Sequence, residues 1–120
     1  LEQRGRHLNK PESDAYVAAL MKAARSDEKK QPILLDRLLV SALIEARSCE
    51  RFKLLADGLN NERLSEFYRA LMAAEARHFQ LFSGLAESIF GAEARTRLRV
   101  LAEREAEVAE QLPLGPQVHG

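Results

Sequence analysis

Two long stretches of this chain each keep an unbroken stripe of residues at helical spacing, and a single turn signal separates them. In the first, Leu38, Ala42, Glu45, Cys49, Phe52, Ala56 and Leu59 follow steps of three and four; in the second, Leu64, Tyr68, Leu71, Glu75, His78, Phe82, Leu85 and Ile89 do the same. Such steps put residues on one face of a helix. The segment Asp57-Gly58-Leu59-Asn60-Asn61 is the one place between them where a helix would stop. The pattern predicts an antiparallel helix hairpin, about 33–57 and 62–90, with Gly58 as the stop of the first helix and Gly91 as the stop of the second.

Three members of these stripes are out of character. Glu45, Glu75 and His78 occupy positions where leucines would serve a core better. Burying a bare carboxylate is costly unless it is protonated, paired or bound to a cation. Glu45 lies about 15 residues before the turn and Glu75 about 15 after it, so at 1.5 Å per residue both stand roughly 22 Å from the turn. One glutamate on a helix, level with Glu-x-x-His on its neighbour, is half of the carboxylate-bridged di-metal site of a ferritin-like bundle. A full site needs a second Glu and a second Glu-x-x-His, and this sequence has neither.

Composition narrows the class. The 120 residues make one small domain, and 18 basic and 18 acidic side chains cancel, so any nucleic-acid contact must use a local patch. A single cysteine excludes an internal disulfide, no signal-like segment is present, and no apolar run approaches the ~20 residues that span a bilayer. These features predict a cytoplasmic protein with no membrane partner. Few glycines and prolines, abundant Ala, Leu, Glu and Arg, and no strand-like alternation make the chain all-α.

Along the chain, residues 1–10 read as a polar lead-in and Pro11-Glu12-Ser13-Asp14 as a helix start. A short helix to about Arg25 would turn Tyr16, Val17, Leu20, Met21 and Ala24 inward. Pro32 closes the charged linker at a favoured first-turn position. A last helix, about 92–111, is highly charged; Arg95, Arg97, Arg99 and Arg104, interleaved with Glu103, Glu105 and Glu107, read as an ion-laced solvent face. The domain is expected over 1–112, with 113–120 a flexible tail.

Each remaining candidate has a plainer reading. Glu50 rivals Glu45 as a ligand, but it lies about 140° around the helix and nearer the turn, which favours a solvated charge or a supporting role beside the ligands. Tyr68, two turns from Glu75, is a core aromatic by default and a supporting residue at most. Cys49 reads as a structural thiol. Phe52, Phe79 and Phe82 would wall the site off from water. His7 and His119 lie near the ends and carry no assignment.

The run Leu34-Leu-Asp-Arg-Leu-Leu-Val-Ser-Ala-Leu-Ile-Glu-Ala-Arg-Ser-Cys-Glu-Arg-Phe52, followed by Glu66-Phe-Tyr-Arg-Ala-Leu and Ala74-Glu-Ala-Arg-His-Phe79, resembles the MiaE-type tRNA hydroxylases. The resemblance covers most of residues 1–90. It implies a ferritin-like antiparallel bundle with a centre of two non-haem iron ions, using O2 and an electron donor it does not identify. The implied reaction hydroxylates the isopentenyl group of a hypermodified adenosine (ms2i6A) beside the tRNA anticodon. Glu45, Glu75 and His78 would be metal ligands, with Glu75 as a candidate bridge. The chain would then supply the C-terminal helix pair plus flanking helices, and the N-terminal pair would come from the rest of a longer protein or from a homodimer mate. Without that cover, Leu38, Ala42, Phe52, Leu71 and Phe82 are expected to be exposed, leaving the chain unstable alone. The main alternative is a ferritin- or rubrerythrin-like iron-handling protein with no organic substrate; a purely structural bundle is a third reading.

Overall fold

A computed structural model of the protein describes residues 14–112. The expected helix start at Pro11 to Ser13, the lead-in, the tail, His7 and His119 lie outside the described residues. Among the described residues every regular element is helical: α1 (Asp14–Ala24), α2 (Ile33–Gly58), α3 (Glu62–Phe90) and α4 (Ala92–Gln111). The all-α expectation holds, and the two long helices match their predicted bounds to within a residue.

Local chemistry sets the boundaries. Pro32 stands one position earlier than expected, as the cap of α2 rather than in its first turn. Gly58 is the last helical residue and its backbone does not enter the left-handed region; the chain leaves α2 through extended Leu59. At the start of α3, the Asn61 side chain accepts the Leu64 N–H at 3.1 Å. The Ser65 hydroxyl then donates across the turn to the Ala56 carbonyl at 2.8 Å, tying the two helices together. Gly91 ends α3 with φ +70°, where a side chain would be strained, and its N–H bonds back to the Glu87 carbonyl at 2.8 Å.

The contacts alternate the helix directions. The hairpin makes α2 and α3 antiparallel, the tight Gly91 turn makes α4 antiparallel to α3, and bonds from Tyr16 to Glu105 and from Arg97 to Ala24 run α1 antiparallel to α4. An apolar core lies where α1, α2 and α4 meet: Tyr16, Leu20, Leu35, Leu39 and Leu101 are fully buried. Burial of five such side chains is the main stabilising term, roughly 1.5–3 kcal/mol each before entropy. Val17, expected inward, is 38 % exposed, because α1 meets its neighbours over a narrow stripe of Tyr16, Leu20 and Ala24.

The hairpin itself has a different interior. Between α2 and α3 lie Ala42, Phe52 and Ala56 with the polar Ser65, Glu45 and Glu75. Ala42 and Phe52 are covered within the hairpin, against the expectation that they would be open. The exposed apolar residues of α3 are instead Leu64, Phe67, Leu81, Leu85 and Ile89. The predicted stripe on α3 is therefore covered along one edge only. Ser65, Glu75 and Ala86 are buried, whereas Leu64, Leu85 and Ile89, within about 80° of Glu75 around the helix, stay exposed along the other edge.

Candidate metal centre

The hairpin geometry brings Glu45 of α2 level with Glu75 of α3. Both carboxylates are buried, with 8 % of each side chain exposed. His78, one turn beyond Glu75, reaches back so that its Nδ1 lies 3.0 Å from Glu75 Oε1 and 3.7 Å from Glu45 Oε1. One ligand atom from each residue falls within 4.8 Å of the others, and among the described residues this is the group of three that could hold a metal ion.

The donor set fits a cation. Two carboxylates held side by side in a protein interior repel, and a divalent ion between them turns that repulsion into attraction. Carboxylate oxygen with imidazole nitrogen is a donor set that suits iron and its first-row neighbours. The site is also open on one side. His78 is 52 % exposed and lies in the middle of the uncovered apolar face of Leu64, Leu85 and Ile89.

Glu50 and Tyr68, the proposed supporting residues, stand elsewhere. Glu50 is 66 % exposed and pairs with Arg47 at 3.6 Å, on the side of α2 away from Glu75. Tyr68 is half-buried and stacks on Phe52 with ring centres 5.9 Å apart, with Phe67 meeting it edge-on at 5.4 Å. Phe52 and Tyr68 close the turn-side end of the hairpin, with the exposed Phe67 ring against its outer side. Phe79 and Phe82 are half-buried, and Phe79 lines a groove of about 320 Å³ between α3 and α4 with Leu39, Gly84 and Leu98. Cys49 is half-buried and its thiol donates to the Met72 carbonyl at 3.4 Å. Burial first, then the charges of Glu75 and Glu50, push that thiol above its usual range.

The reading of α4 as a solvated face needs correction. Arg97 is buried and donates to Asp36, Asp27 and the Ala24 carbonyl at 2.7–3.1 Å. Glu105 is buried and accepts from the Tyr16 hydroxyl and from Arg47 at 2.7–2.8 Å. Bonding to Glu105 holds the Arg47 guanidinium, and bonding to Asp36 the Arg97 guanidinium, well above the usual arginine range. Arg104 caps Asp27 at 2.6 Å, while Arg95 stays outside, paired with Glu87. A signal for these pairs was present. Asp36, Leu39, Leu43 and Arg47 on α2, and Ala94, Arg97, Leu101, Glu105 and Val108 on α4, are also helical stripes interrupted by charge.

The profile of the family described as "MiaE: tRNA-(MS[2]IO[6]A)-hydroxylase (MiaE)" matches residues 1–120. The chain is 42 % identical over 93 residues to a tRNA 2-(methylsulfanyl)-N(6)-isopentenyladenosine(37) hydroxylase of Salmonella typhimurium, covering 78 % of this chain and 33 % of that protein. It is 39 % identical over 108 residues to the protein of the same description from Pseudomonas putida, covering 90 % of this chain and 51 % of that protein. The chain thus spans about a third to a half of the length of these curated relatives. No solved structure matches it. A chain that the family profile matches from end to end, and whose helices set Glu45, Glu75 and His78 at one point, belongs to the MiaE family of tRNA hydroxylases.

Proposed function

We propose that this chain is part of an O2-dependent di-iron monooxygenase that hydroxylates the isopentenyl group of ms2i6A in tRNA. The observation that carries the reading is the convergence of Glu45, Glu75 and His78 within 4.8 Å in a chain of this family. Glu45 and Glu75 would hold iron through their carboxylate oxygens and His78 through a ring nitrogen. The iron pair, once bound, supplies the activation of O2 that an unactivated C–H bond requires and that no side-chain acid or base provides. What the chain's own residues do is hold the ligand atoms and keep water out. Phe52 and Tyr68 close the turn-side end of the hairpin as stacked apolar surface, so oxidising chemistry is kept from solvent on that side.

The open side of the centre defines the remainder of the proposal. The apolar face around His78 receives a further helix pair that supplies the other ligands, and the relatives' greater length supports one within the same protein rather than a second copy. An electron donor and tRNA are the partners, and the cytoplasm, where tRNA is, is the location. Among the described residues no helix is long and apolar enough to cross a membrane. Both relatives are described as hydroxylases, which favours this reading over iron storage. Nucleoside mass spectrometry of tRNA from cells lacking the gene tests it. The isopentenyl nucleoside should accumulate one oxygen lighter, and wild type but not Glu75→Gln should restore the hydroxylated form. Hydroxylated nucleoside at normal levels in the deleted strain would refute the assignment.

A further inference from the structure

Helix α4 gives no residue to the metal centre, yet it grips α2 through two ion pairs of opposite polarity, one buried on both sides and one joining buried Glu105 to half-buried Arg47. On one side of Glu45, fully buried Asp36 accepts from Arg97 Nε at 2.9 Å and Nη2 at 3.1 Å. On the other side, Arg47 donates from Nε and Nη2 to the two carboxylate oxygens of Glu105 at 2.7 and 2.8 Å, and the Tyr16 hydroxyl donates to the same carboxylate at 2.7 Å. Along α2 the order is acid then arginine; along α4 it is arginine then acid.

Apolar helix contacts alone tolerate small slides and rolls, because side chains can repack. Two-pronged guanidinium–carboxylate pairs do not, since their geometry is fixed by both partners. A slip of α2 by one residue would carry each charge about 1.5 Å along the axis and 100° around it, leaving buried charges unmatched. Setting register is the best-supported use of such buried pairs. Arg47 lies roughly 160° around the helix from Glu45, so its pair with Glu105 holds the face of α2 opposite the ligand.

We propose that α4 acts as an electrostatic splint for the metal centre. Arg47 with Glu105, and Asp36 with Arg97, are positioning residues that fix the height and rotation of α2, so that the Glu45 carboxylate meets Glu75 and His78. The inference rests on the metal-centre reading above, but a second reporter is independent of any metal. Cys49 lies one turn from Glu45 and its thiol bonds to the Met72 carbonyl of α3, so its reactivity reads the register of α2 against α3 directly.

The test uses Glu105→Gln, which keeps the side-chain shape and removes the charge, and the swapped pair Arg47→Glu/Glu105→Arg. Co(II) titration, followed by visible absorption, should show binding about tenfold or more weaker in Glu105→Gln, with the band at saturation shifted. A mere loss of stability would leave that band in place. In metal-free protein, the Cys49 thiol should react severalfold faster with a chromogenic disulfide reagent. The swapped pair should bring both readouts back toward wild type. Wild-type values for Co(II) binding and Cys49 rate in Glu105→Gln would overturn the splint. If the wild type takes up no Co(II), the metal-centre reading fails instead, and an unchanged Cys49 rate alone still overturns the splint.

Discussion

His78 Nδ1 and Glu45 Oε1 stand 3.7 Å apart across the α2–α3 hairpin, an imidazole of one helix facing a buried carboxylate of the other. Neither residue's own helix explains the meeting. It depends on where the chain turns, because α2 ends at Gly58 and α3 begins at Glu62, which brings the midpoints of the two helices to the same height. The buried ion pairs on the far face of α2 make the same point about energetics. A helix this rich in polar residues is held by specific partners as well as by apolar area.

The contrast between Arg97 and Arg95 gives a stability prediction. Arg97→Met removes a guanidinium that is 7 % exposed and leaves Asp36, fully buried, with Arg25 at 2.7 Å as its remaining ion partner. Because Arg25 still pairs with Asp36, the expected cost is roughly 1–3 kcal/mol. Arg95→Ala breaks a pair that is 63 % and 45 % exposed, and should cost less than about 1 kcal/mol. Urea unfolding of both variants decides this; equal costs would mean that α4 is the solvated helix its charge suggested.

How much could be read beforehand follows from these residues. The helix ends at Glu62 and Phe90 were legible because a cap residue and a glycine stop are local chemistry, and the trio Glu45, Glu75 and His78 was legible because one turn fixes their relative heights. The face of α3 was not. Leu64, Leu85 and Ile89 look the same in sequence whether they meet α2 or the outside, and periodicity does not say how wide a part of one stripe a neighbour covers. Arg97 and Glu105 were read as solvated because a charge reveals its burial only through its partner, and theirs lie far away in the chain at Asp36, Arg47 and Tyr16.

Acid should weaken the junction of α1, its linker and α4 in a defined window. Hydrogen bonds from Arg104, then from Arg97, hold the Asp27 carboxyl down at about 2, below its ordinary 3.8. A depressed carboxyl contributes stability above its unfolded value, and that contribution disappears as pH falls toward the folded one. The gap in melting temperature between wild type and Asp27→Asn should therefore close between about pH 4 and pH 2. Thermal melts at half-unit steps measure it; a gap that stays constant through this window would show that Asp27 is not bound as described.

The uncovered face of α3 carries a prediction about association. Leu85 and Ile89 are 43 % and 55 % exposed, so Leu85→Lys/Ile89→Lys should change the stability of this chain by no more than about 1 kcal/mol. The same change should suppress self-association, since exposed apolar patches are sticky. Sedimentation velocity across a concentration series would show it. A double variant that unfolds would mean this face is buried in the chain on its own.

The central claim is that Glu45, Glu75 and His78 together hold iron, and anaerobic Fe(II) titration by calorimetry addresses it most directly. Wild-type protein should bind Fe(II) saturably. Glu45→Gln, Glu75→Gln and His78→Ala should each weaken binding by at least about tenfold. His78→Ala should do so with little change in melting temperature, because its ring is half exposed. Fe(II) binding of equal strength in wild type and in the three variants would contradict the account.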